Sequence, residues 1–295
     1  MATGSSLVCV RRGKEGRPIL LSAVWEPVSS ESGQVDAIRT LARQQPFQEA
    51  SAVSVLTPNV YQLMQLELAD LPIEERREAA RWQIRELLDF PVAEAVVDIF
   101  SVSPFGSDKK PLTYVVAARK TMLRERVESL QQADLRPAAI DVPEFALRNL
   151  AELFQQDERG TAILYLQEQG GMLTVVRDGI QYLTRYLGVG MDDLIPHADG
   201  SYEMLIEQLD AIVLEIQRTF DYCESTFHLP MVSRLLVAQT QREIPAVTTY
   251  LNDYLSTSVE PFSLADVMDL PEVAEQLDLN RHLLAIGGAL RQEQG

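Results

Sequence analysis

The apolar positions of this chain change period twice, both times in the same order. Leu7 to Arg11 and Pro18 to Trp25 alternate around the polar stretch RRGKEGR and predict a β-hairpin. Further on, Thr161 to Leu166, Met172 to Arg177 and Ile180 to Leu187 predict three more strands, with turns at Gly170-Gly171 and Asp178-Gly179. Asp-Gly between alternating apolar residues is a strong hairpin signal, because both central residues of the tight turn need positive φ. The period then lengthens. Leu205, Leu209, Ile212, Ile216 and Phe220 place one apolar stripe along a helix from Ser201 to Phe227. A strand over Arg234 to Ala238, a helix over Pro245 to Leu255, a strand over Ser258 to Phe262 and a closing helix from Arg281 to Arg291 complete the pattern.

The first half continues its hairpin in the same way. Thr113 to Ala118 (TYVVAA) reads as a buried strand, Lys120 to Ala133 as an amphipathic helix, and Pro137 to Val142 as a strand running into another helix. That spacing predicts a parallel sheet with crossover helices. Residues 51–111, with a strand at AVSVLTP, a helix over Ile73 to Leu88, a strand at EAVVDIFSV and the loop PFGSDKKP, read as an inserted subdomain. A meander followed by alternating β and α, given twice, is the pattern of the actin-like α/β fold. It is built of duplicated RNase-H-like lobes, here expected over 1–155 and 156–295. The duplication is one of element order, since no sequence repeat accompanies it.

Composition narrows the function classes. A net charge of −17 would repel phosphate backbones, and the basic clusters Arg76, Arg77, Arg81, Arg85 and Arg119, Lys120, Arg124, Arg126 are interleaved with Glu as on solvated helix faces. A nucleic-acid partner is not expected. No apolar run approaches the roughly 20 residues that a spanning helix needs, and the N-terminus lacks the pattern of a signal peptide. Cys9 and Cys223 make no disulfide framework, so a cytoplasmic location is the expectation.

The stretch from Leu71 to Leu150 carries a resemblance. Its elements LLDFPVAEAVVDIF, YVVAARK and AIDVPEFALRNL resemble, in order and spacing, the PilM and MshI family of actin-like assembly proteins of type IV pili. The resemblance implies a scaffold of an MSHA-like pilus platform that docks the cytosolic tail of a PilN-like inner-membrane protein, with the pilus assembly ATPase as a further partner. It also places the peptide groove by the first lobe and its insertion, where Trp82, Arg85 and Phe90 are the partner-binding candidates, beside Arg81 and Pro91. GspL-like type II secretion proteins share such a cytoplasmic part, followed by a membrane helix. The chain ends at Gly295 without one, which favours the PilM type. The competing class is an active actin-fold ATP-binding protein or ATPase, such as a sugar kinase.

An ATP-binding actin fold needs two glycine-rich hairpins, each with an Asp for Mg²⁺ or the attacking water, and a glycine pair by the adenosine. Gly4-Ser5-Ser6 stands at the first position, yet no Asp precedes Asp36. Relative to the family the chain begins in or just after that loop, without the opening strand. At the second, Gly170, Gly171 and Thr174 are the candidate cofactor contacts, though a plain β-turn is the favoured reading of the glycines and only Glu168 is acidic nearby. Ala238-Gln239 occupies the adenosine position. No cofactor is therefore expected, and ATP at most weakly. Gly287-Gly288 reads as tight helix packing. Asp141 and Glu144 read as a capping box over the helix that follows, with a catalytic carboxylate as the other reading of Asp141. His197, His228 and His282 lack metal-ligand spacing, and neither cysteine stands beside a base.

Overall fold

A computed structural model of the chain describes residues 4–13, 16–28, 31–43, 50–69, 71–106, 110–154, 159–198, 200–240, 243–272 and 278–292. The hairpin β1 (Gly4–Arg12) and β2 (Pro18–Pro27) leads into α1 (Glu31–Arg43) and β3 (Ser51–Val55). The chain then runs through β4 (Tyr61–Leu66), α2 (Ile73–Ile84), β5 (Ala95–Val102) and β6 (Leu112–Arg119). It returns by α3 (Lys120–Gln132), β7 (Arg136–Asp141) and α4 (Pro143–Leu153).

Two expectations are corrected here. Thr113 to Ala118 lies in β6, which is not in a parallel sheet with Pro137 to Val142. It is the middle strand of an antiparallel sheet of order β4-β6-β5. The parallel partner of β7 is β3, from the stretch read as insertion. The inserted unit is therefore a sheet and helix over 61–119, not 51–111. A short apolar run looks the same from either kind of sheet, which is why TYVVAA misled. The unit has its own core, in which Ala80 and Ile84 of α2 and Phe90 meet Val97, Val115 and Ala117 of the sheet.

The second half follows its pattern closely. Strands β8 (Thr161–Leu166), β9 (Gly171–Arg177) and β10 (Ile180–Leu187) form the meander. Gly170 at φ 77° and the pair Asp178 and Gly179 at φ 50° and 69° make the turns. Helices α5 (Met191–Ala198) and α6 (Tyr202–Phe227), β11 (Arg234–Gln239), α7 (Pro245–Tyr254) and β12 (Ser258–Pro261) follow. Ser201 caps α6, its hydroxyl accepting from Met204 N. The sheet order is β10-β9-β8-β11-β12, with β8, β11 and β12 parallel and the meander antiparallel. Every residue of β8 is buried. One face carries α6 and α7 through Leu209, Ile212, Ile216, Val247 and Leu251.

On the other face Ile163, Tyr165 and Met172 meet Leu147 and Leu150 of α4, Leu20 and Ala23 of β2, and Leu283 and Ile286 of α8 (Leu283–Ala289). Helix α8 crosses α4 so closely that a Cβ at Gly287 would collide with the Ala146 carbonyl, and one at Gly288 would come 2.5 Å from Val55 Cγ2. The glycine pair is a packing device, as its sequence context suggested. By the order of the second sheet, the place between β1 and β3 corresponds to that of β8. Among the described residues no strand fills it, and β1-β2 and β3-β7 are separate pairs.

Candidate functional site

The three nucleotide positions converge on one short segment. Ser5 and Ser6 lie in β1, paired to β2, and Gly4 has no Cβ because the Trp25 indole stands there. Ser6 Oγ is 2.7 Å from His282 Nδ1. Glu168, before the β8–β9 turn, is paired with Arg281 at 3.3 Å, and that guanidinium lies 4.9 Å over the Trp25 ring. At the end of β11, the Gln239 carbonyl accepts from Asn280 Nδ2 at 2.9 Å. The Tyr165 hydroxyl donates to Asn280 O at 2.8 Å. One 3₁₀ turn, Leu279–His282, thus bonds to residues of all three stretches. Burial pushes the His282 imidazole below its ordinary range, which keeps it neutral beside Ser6.

The turn at Gly170 is also engaged by the chain itself. Gln167 O and Glu168 O accept from the amides of Met191 and Asp192 at 2.7 and 2.9 Å, so the hairpin closes onto the first turn of α5. Thr174 is fully buried, its hydroxyl 2.8 Å from that of Thr184 on β10. It does not face a ligand. The Gln239 carboxamide is likewise engaged, accepting from Ile244 N at 2.9 Å. Among the described residues of these three stretches the acidic side chain is Glu168, and it is ion-paired with Arg281.

Asp141 and Glu144 do not form a capping box. The N-cap of α4 is Val142, with no side-chain cap. Asp141 Oδ1 accepts from Val142 N at 2.9 Å and Oδ2 from Arg291 Nη1 at 2.8 Å, tying β7 to the residues after α8. Glu144 turns elsewhere. Its Oε2 accepts from the Tyr61 hydroxyl at 2.6 Å and its Oε1 from the Tyr186 hydroxyl at 2.9 Å. Burial raises the Glu144 carboxyl above the usual range, while the tyrosine donors oppose that shift. Burial beside Glu144 raises both tyrosines. This cluster was invisible in the sequence, since Tyr61 and Tyr186 are 125 residues apart and no spacing rule joins them.

The partner-binding candidates divide. Phe90 is 8% exposed and belongs to the core of the inserted unit. It also lines a groove of about 230 Å³ with Asn59, Tyr61, Asp89, Arg119 and Met122. The Arg119 guanidinium sits 4.3 Å over the Phe90 ring and 3.5 Å from Glu94. Trp82 is 70% exposed on α2, with the Arg85 guanidinium 5.5 Å from its ring centre. It is not part of that groove. Among the described residues no cluster of His, Cys, Asp or Glu could hold a metal, and no helix is long and apolar enough to cross a membrane. Burial pushes the Cys223 thiol up to about 12.

Duplicated order, the β10-β9-β8-β11-β12 sheet and the crossing of α4 and α8 can be compared with solved structures. The chain is similar to a chain of a PilM-PilN type IV pilus biogenesis complex, with TM-score 0.71 and 22% identity over 98% of this chain and 96% of that one. A protein from Bacteroides thetaiotaomicron with actin-like ATPase fold and unknown function aligns over 91% of this chain and 86% of its own, with TM-score 0.50 and 8% identity. This is the actin-like ATPase fold. The cytoplasmic domain of EpsL, an inner membrane component of the type II secretion system of Vibrio cholerae, aligns over 98% and 96% with TM-score 0.49 and 10% identity. No protein-family model matches the sequence, and no curated protein does.

Proposed function

We propose that this chain is a non-catalytic cytoplasmic scaffold of a type IV, MSHA-like pilus assembly platform. Its main surface takes the cytosolic tail of a PilN-like inner-membrane protein, and a second one engages the pilus assembly ATPase. The observation that carries the reading is the turn Leu279–His282, whose side chains and backbone bond to each stretch where an actin fold would hold a nucleotide. A fold whose nucleotide groups are engaged internally acts through its surfaces. Support for the partner is the likeness along nearly the whole of both chains to a protein solved in a PilM-PilN complex. The groove at Phe90, with an aromatic floor and an arginine rim, has the composition of an interface hot spot. The exposed Trp82–Arg85 pair lies on the same inserted unit and extends the docking face.

Two measurements test this. Calorimetric titration with Mg-ATP is expected to show no binding in the micromolar range, which is about −8 kcal/mol. Heat of that size would return the chain to the ATP-binding class. A pull-down with the cytosolic tail of a PilN-like inner-membrane protein is expected to succeed and to be lost in Arg119→Glu. Trp82→Ala and Arg85→Glu are expected to weaken it, with thermal stability unchanged in these two. Failure of the parent protein to bind would remove the docking role.

A further inference from the structure

Tyr61 takes part in two arrangements at once. It lines the groove with Phe90 and Arg119, and its hydroxyl points away to Glu144. Glu144 is 1% exposed, and a buried carboxylate needs donors on both oxygens. The second donor is Tyr186, whose hydroxyl is also 2.9 Å from that of Tyr61. The three residues stand on β4 of the inserted unit, on α4 and on β10 of the second-lobe sheet. Tyr186 is 45% exposed, so packing alone does not hold its ring; the hydroxyl contact places it. Beside the cluster, Phe145 of α4 packs edge-on against Phe100 of β5, with centroids 4.9 Å apart, so α4 carries the inserted unit with it.

We propose that Tyr61, Glu144 and Tyr186 form a clasp that fixes the wall of the groove to the second lobe, so that a peptide seated in the groove favours the clasped arrangement. Any motion that withdraws Tyr186 from Glu144 leaves a buried oxygen without its donor. The carboxylate then recruits Tyr61 differently, and the wall of the groove moves. Binding free energies are reciprocal, so a peptide that prefers the clasped wall must also hold the lobes together. Glu144 and Tyr186 are positioning residues, since neither lines the groove. The effect on the peptide rests on the docking reading above; the effect on the lobes does not.

The experiment therefore has two readouts. Spin labels at Glu75→Cys on the inserted unit and Glu207→Cys on α6 report the lobe separation without any partner, the native Cys9 and Cys223 being buried. The parent is expected to give one narrow distance distribution and Tyr186→Phe a broadened one. A synthetic peptide of the PilN-like tail is the binding probe. It is expected to bind Tyr186→Phe about tenfold more weakly than the parent, although Tyr186 lies outside the groove. Saturating peptide should narrow the parent distribution further. Glu144→Gln, which keeps an acceptor oxygen, should fall between the parent and Glu144→Ala in both readouts; a purely structural Glu144 would change stability and leave peptide affinity alone. Should Glu144→Ala fail to fold, the half-exposed Tyr186→Phe decides. Unchanged distances in Tyr186→Phe overturn the clasp whether or not the peptide binds. A parent that ignores the peptide overturns the docking reading, and the distances then judge the clasp alone. Broadened distances with parent-like affinity overturn the coupling.

Discussion

At the centre of the second-lobe sheet, β8 is bonded along both edges, to β9 and β11, and none of its residues is exposed. On either side of the corresponding place in the first lobe, β1 and β3 each have a strand partner on one side only among the described residues, and β3 has no fully buried residue. Both regions have the same helical cover, since α1 and α3 meet Cys9 of β1 on one face and α8 touches β1 and β3 on the other. The difference teaches that the first-lobe pairs β1-β2 and β3-β7 lean on the other lobe for part of their packing. Here Leu20 and Ala23 of β2 join the core of the second sheet, and the edge of β2 bonds to Asp269, with Leu20 N donating to its carbonyl at 2.9 Å.

The largest expected effect follows from burial. Leu164→Ala in β8 should cost about 2–5 kcal/mol, because a cavity opens where nothing can relax. Val53→Ala in the half-buried β3 should cost about 1 kcal/mol. Equal shifts of the two denaturation midpoints would mean that the first lobe is as tightly built as the second. Next comes the helix crossing: Gly287→Ala should cost about 1–3 kcal/mol by overpacking, since the new methyl meets a backbone carbonyl that cannot turn aside. Hydrogen exchange sharpens the comparison without mutation. Amides of β8 should exchange about a hundredfold or more slowly than those of β3.

The smallest effect depends on pH. His282 is held neutral by burial, so its folded pKa lies below the unfolded value of about 6.5. As pH falls through that value the unfolded chain takes up a proton first, and stability declines. His282→Asn should flatten the stability curve below about pH 6.5. A curve with unchanged slope would show that another group carries the acid dependence.

How much of this was legible in the sequence follows from which signals are local. The meander β8–β9–β10 was readable because Gly170 and Asp178-Gly179 punctuate it and because a tight turn fixes register. Helix α6 was readable from one unbroken apolar stripe. Strand β4 was missed, since Tyr61-Gln-Leu-Met-Gln-Leu66 alternates poorly and its burial comes from β6 and from clusters with α2, α3 and α4. The sheet membership of β6 was misjudged because direction and partner are long-range properties. The candidate site divides the same way. Gly170 makes the turn that its Gly-Gly context predicted, whereas the attachment of Leu279–His282 to Ser6, Glu168 and Gln239 needed the fold, with separations of up to 276 residues. Trp82 and Phe90 are close in sequence yet stand on different surfaces, because α2 turns one outward and its end tucks the other under Arg119.

Helix α8 has a consequence for the order in which the molecule can be made. It packs on α4, β1 and β3, so the start of the chain meets its final cover only in residues 283–289. Contacts of such separation are slow to close, and these residues leave the ribosome well after the strands they cover. The hairpin β1–β2 and the pair β3–β7 must therefore wait, with apolar faces open, while the later lobe is synthesised and folds. The half that emerges first from the ribosome is the half that finishes second, and the interval between the two is when this chain has most need of a chaperone.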